Sequence, residues 1–190
     1  MINDLALLAV RVAVGGSIAS HGAQKAFGWF EGPGPEKAAG FFETLGFRPG
    51  AKFASAAANT EIGSGLLILL GLGGPLGPAG LLSTMLVAAQ SVHAKNGYFA
   101  QKNGVELNVM YAAAALALAS RGYGALSLDR ALGLHERLHH PLLETLALAG
   151  GLLAGWAILG QRDTSPPEGT LATPTISGGR SNGAAEPARS

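Results

Sequence analysis

Five apolar segments constrain this chain more than any other feature: residues 5–27, 53–72, 76–92, 105–120 and 142–159. A helix rises about 1.5 Å per residue, so crossing a hydrocarbon core of about 30 Å takes about 20 largely apolar residues. The segment at 105–120 is short by that measure, and its boundaries are the least fixed. Buried helices of a soluble protein are the competing account. A chain of 190 residues has too little polar sequence to cover five such helices. Only 13% of its residues are charged, against about 25% in an average soluble domain. The sequence therefore reads as all-α: a polytopic membrane protein with a four-helix transmembrane bundle over residues 1–130. An interfacial connector and a fifth, C-terminal transmembrane helix follow over 131–160, and a disordered tail over 161–190.

The connections differ in kind. Gly71-Leu72-Gly73-Gly74-Pro75 reads as a tight turn, because Gly ends one helix and Pro starts the next. Between the first two apolar segments, Ala38, Phe41, Phe42 and Leu45 recur at helical spacing, which predicts a short interfacial helix over 35–45. Trp29 and Phe30 fit the same level, where amphipathic rings collect. The first four residues carry no positive side chain and Arg11 interrupts the first apolar run, so that helix is expected to be retained rather than cleaved. After Gln161 the chain is rich in Pro, Gly, Ser and Thr and cannot build a core. There is no cysteine, which excludes disulfides, thiolate nucleophiles and cysteine-ligated clusters within the chain. The net charge of +1 with no basic patch excludes a nucleic-acid partner.

Call the face at Met1 side A and the opposite face side B. With five spans, side B collects Lys37, Arg48, Lys52, Lys95, Lys102, Arg162, Arg180 and Arg189, and side A collects Arg121, Arg130 and Arg137. That bias makes side B, and the C-terminus with it, cytoplasmic in a cell membrane. Threading also sets depth. His21 falls about 6 Å from side B, Glu61 about 12 Å, and Gln90 about 9 Å. His93, Asn96, Asn108 and Tyr111 lie near the same face, and Lys25 reaches the interface. Alternating helices thus gather most intramembrane polar groups into one half of the bilayer. Arg11, His21 and Lys25 share one helix face, within about 80°. Ala54, Ala57, Ala58, Glu61 and Gly65 form a small-residue face that permits close helix approach.

A carboxylate at the depth of Glu61 is costly unless neutral or paired, and His21 is its nearest neighbour in depth. Lys25 and Arg11 can snorkel to opposite faces. The candidate ligand site is therefore His21, Lys25, Glu61, Gln90, His93, Asn96, Asn108 and Tyr111. His21, Glu61 and His93 are suitable metal ligands by type, but no spacing requires a metal and none is expected. "HERLHH" contains H-E-x-x-H at His135, Glu136 and His139. In zinc proteases that spacing puts two imidazoles on one helix face. Here Arg137 lies between them and Pro141 interrupts the helix, so an interfacial connector is the expectation.

Several blocks in order, "HGAQKAFGWFEGPG", "AAGFFETLGF", "NTEIGSGLLILLGL", "HAKNGYF", "NGVELNV" and "YGALSLDR", resemble the DoxX family over about residues 5 to 130. The resemblance implies a small four-helix membrane protein, with family motifs falling on His21, Gly22, Lys25, Gly28, Glu61, Asn96 and Gly97. It also implies a subunit supporting a redox or quinone-linked assembly, with members joining oxidoreductases in oxidative-stress responses. No residue here carries an electron by itself, so an accessory subunit is expected rather than a self-sufficient catalyst. No cofactor is evident in the residues; a quinone is the ligand that the resemblance suggests. The expected partners are the lipid bilayer and soluble or membrane oxidoreductase subunits, with a homo-oligomer left open. A small-solute or proton transporter and a non-catalytic anchor for soluble enzymes are the alternatives.

Overall fold

The computed structural model describes residues 1–163 and Ser165. In it the apolar segments become long helices. In chain order the helices are α1 (Ile2–Phe27), α2 (Gly34–Thr44), α3 (Gly50–Leu70), α4 (Leu76–Ala88), α5 (Glu106–Arg121), α6 (Leu128–Ala131), α7 (His135–Leu138) and α8 (Pro141–Leu159). No multi-residue strand occurs among the described residues; a single antiparallel bridge joins Phe47 to Arg162. α1, α3 and α8 are each long and apolar enough to cross a membrane. α4 continues through a π turn, Ala89–His93, and α5 has 16 residues. The expected tail, with Arg180 and Arg189, lies outside the described residues from 166 onward. Its first residues, 161–163, are placed against the loop between α2 and α3.

The helix boundaries follow the punctuation in the sequence. Gly28 and Gly71 take the left-handed conformation, with φ of 71° and 66°, and close α1 and α3. Pro141 sits in the first turn of α8, where a missing N–H costs nothing. The predicted interfacial helix is α2, which turns Ala38 and Phe42 inward and leaves Phe41 half exposed.

α1 packs most extensively on α3, and small residues make this contact possible. A Cβ on Gly15 would lie 2.6 Å from the Gly65 carbonyl oxygen, and a Cβ on Gly22 would lie 2.6 Å from that of Ala58. Backbones this close gain dispersion that lipid tails cannot supply, which is the driving force between helices in a bilayer. α4 packs against α3 and α5 on one side and α8 on the other. Two apolar clusters result. Ile18, Ile68, Leu81, Leu118 and Tyr123 form one, and Phe42, Phe47 and Phe53 the other, with Ile158 against it. Leu66, Leu107, Met110, Leu116, Leu146, Leu153 and Trp156 point outward. In water that surface would be costly. In lipid it is the expected coat.

Candidate functional site

Lys25 and Glu61 form the central feature on side B. Lys25 Nζ donates to Glu61 Oε2 at 2.6 Å, across the α1–α3 contact. The side chains are 25% and 11% exposed, so the carboxylate is nearly dry and its partner partly so. The ion pair gives Glu61 the partner a buried carboxylate requires. The expected neighbour, His21, is not that partner. Its ring is exposed, with Nδ1 3.2 Å from Gln24 Oε1, and its carbonyl receives a second bond from Lys25 Nζ at 3.3 Å. Depth alone favoured His21. The side chain of Lys25 is long enough to reach back one helical turn, and that decides the pairing.

The pair borders a cavity of about 430 Å³. Its walls are mainly apolar: Phe41 and Phe42 from α2, Leu45 just after it, Phe53 and Ala57 from α3, Val87 from α4, and Ile158 from α8. Thr60, Ser91, His93 and Asn103 add polar groups to the lining. The π turn contributes Ser91, Val92 and His93. His93 Nδ1 lies 2.9 Å from the Asn103 carbonyl, and Asn96 Nδ2 donates to that carbonyl at 3.1 Å, so the segment before α5 is held to the turn.

The cavity thus takes Lys25, Glu61 and His93 from the predicted set. The others fall elsewhere. Gln90 is exposed. Asn96 braces the segment just described. Asn108 is buried between α5 and α4, its amide 3.7 Å from Met85 Sδ. Tyr111 Oη lies 2.6 Å from Ser17 Oγ and ties α5 to α1. Sequence reasoning placed these residues by depth, but depth does not say which helix face meets which. Asn103, Ser91 and Phe53 carried no signal of their own, and Phe41 and Phe42 none beyond the periodicity of α2.

A second polar cluster sits at side A. Arg11 does not snorkel. It is 2% exposed and donates to four carbonyls: Ile68 at 3.1 Å, Tyr123 at 3.0 Å, Leu126 at 2.7 Å and Leu69 at 2.8 Å. Two of these are the last carbonyls of α3, which have no partner within the helix. Asp129 is fully buried and accepts from the amides of Gly73 at 2.9 Å and Gly74 at 2.7 Å. The H-E-x-x-H residues lie here too. His135 and His139 stack with ring centroids 4.6 Å apart, and Glu136 turns away to Arg130 at 3.1 Å. Among the described residues no three metal-ligating side chains group so as to hold an ion. His139 lies 3.6 Å from Asp129 and 3.8 Å from Glu144. Burial pushes its pKa below the usual imidazole value, His135 adds to that, and the two carboxylates offset only part. Burial likewise raises the Tyr123 phenol.

Fold and site together define a multi-pass helical membrane protein with a cavity beside an intramembrane ion pair. Residues 6–94 match the DoxX family. That match falls on the stretch whose motifs, from His21 to Glu61, resemble the family, and it covers just under half of the chain. The matched stretch runs from α1 through the π turn, so α5, α8 and the side-A connector lie beyond it. No curated protein and no solved structure gives a significant match to the chain.

Proposed function

We propose that this protein is a membrane subunit that supports a redox or quinone-linked assembly, and that the cavity receives a quinone. The ion pair carries the reading: a charged donor and acceptor stand at the edge of a space whose walls are otherwise largely apolar. An isoprenoid quinone has the matching shape, a polar ring on an apolar tail. Lys25 would donate to a ring carbonyl, and Glu61, when released from it, could accept a proton. The aromatic walls from α2 and α3 would hold the ring and the first part of the tail. The bound quinone would supply the redox chemistry; the chain's own residues bind and orient it. Partner oxidoreductases would meet side B, which the excess of Lys and Arg favours as the cytoplasmic face of a cell membrane.

Quinone binding to nanodisc-embedded protein tests this. Wild type should bind, Glu61→Gln and Lys25→Ala should lose about tenfold in affinity, the scale of one charged hydrogen bond, and His21→Ala should bind like wild type. Equal binding by all four proteins would remove the site.

A transporter is the second reading, because buried acids with basic neighbours also build proton relays. The closed, hydrogen-bonded side-A cluster argues against a continuous path. Proteoliposome flux separates the two readings.

A further inference from the structure

We propose that the residues following α8 form a strap that fixes the width of the cavity, with Arg162 and Gly46 as its key positions. Only the identity of the ligand rests on the quinone reading; the strap itself stands on backbone geometry.

The cavity has walls from two separately anchored helices. α2 packs on α3, whereas α8 packs on α4. Leu45 reaches the cavity from the end of α2, and Ile158 reaches it from the end of α8. In lipid, two apolar walls gain little by closing on one another, because acyl chains solvate them equally well. Polar ties must therefore set the spacing. The strap supplies them. Arg162 Nε donates to the Leu45 carbonyl at 2.9 Å, and the Asp163 amide donates to the Gly46 carbonyl at 2.8 Å. The Arg162 guanidinium lies over the Phe47 ring, 5.6 Å from its centroid. Phe47 is fully buried and packs on Phe42 and Phe53, both of which line the cavity. Gly46 has φ of 88°, and a Cβ there would run into the Asp163 carbonyl. Only glycine lets the two segments approach this closely.

The strap comes from beyond residue 94, the end of the family match. The added C-terminal helix is thus a working wall of the cavity, and its last turn sets how tightly an apolar guest is held. Opening the strap should speed release more than it slows entry, because affinity differences in related complexes lie mostly in dissociation.

The test uses full-length protein in nanodiscs and two probes, decylubiquinone and the headless apolar fluorophore 1-aminoanthracene. Arg162→Ala removes the side-chain tie and leaves the backbone bond. Gly46→Val forces the segments apart. Each should raise the dissociation rate of both probes about threefold to tenfold, the scale of one or two net hydrogen bonds. Should Gly46→Val fail to insert, Arg162→Ala decides alone. Rates equal to wild type overturn the strap, as does a wild-type protein that takes up neither probe. If 1-aminoanthracene responds to the strap and decylubiquinone never binds, the strap stands and the quinone reading falls. If decylubiquinone binds with no dependence on the strap, the quinone reading stands and the strap falls.

Discussion

The two ends of the bundle handle buried charge in opposite ways. At side A, Arg11 and Asp129 are each dry, and between them they bind four carbonyls and two amides of the backbone. Those bonds close the end of α3 and the turn before α4. At side B, Lys25 and Glu61 bind chiefly one another and face open apolar space. Charges satisfied by backbone serve the fold. Charges satisfied chiefly by each other can exchange one partner for a ligand, which is why the proposed site lies at the second end.

The contrast breaks first at Arg11. Arg11→Met should cost about 3–5 kcal/mol, because four carbonyls lose a charged donor in a dry place. Reversible unfolding in bicelles measures it, and a variant as stable as wild type would remove the structural account of side A. The next effect is smaller. Lys25→Ala should cost about 2 kcal/mol by stranding Glu61, and a cycle with Glu61→Gln should show coupling of about 1–2 kcal/mol.

The folded protein holds His139 below its ordinary value of 6.5, so the folded state binds that proton less readily than the unfolded state. Stability is fully present above about pH 6.5 and falls as the pH drops from there toward the folded value. His139→Gln should flatten that slope, read from melting midpoints between pH 7.5 and pH 5. An unchanged slope would show that the imidazole is not held neutral by burial. The smallest effect belongs to His21, where substitution by Ala should change stability by less than about 0.5 kcal/mol.

Much of this was legible in advance for a simple reason. Hydrophobic length, Gly and Pro punctuation and small-residue spacing are local signals; they located every long helix and marked α3 as a helix that another could approach closely, without naming α1 as the partner. The interfacial α2 was visible from Ala38, Phe41, Phe42 and Leu45. Lys25 and Glu61 were both visible as costly charges. Their pairing was not, because it depends on the rotation of α1 about its axis and on a flexible side chain. Arg11 shows the same limit: a snorkelling reach and a buried four-carbonyl clasp demand the same residue at the same depth. His135 and His139 carried a motif whose spacing was real, yet the fold stacks the rings and turns Glu136 outward.

Composition and helical period alone fix that the chain lives in lipid, where its apolar helices run and that α3 carries a face of small residues, because those properties are local. Tertiary structure alone decided which charges meet, where the cavity opens and that the end of α8 ties down the loop after α2. Those depend on contacts between residues more than 30 positions apart, such as Lys25 with Glu61 and Arg162 with Leu45, and no local pattern encodes a distance of that kind.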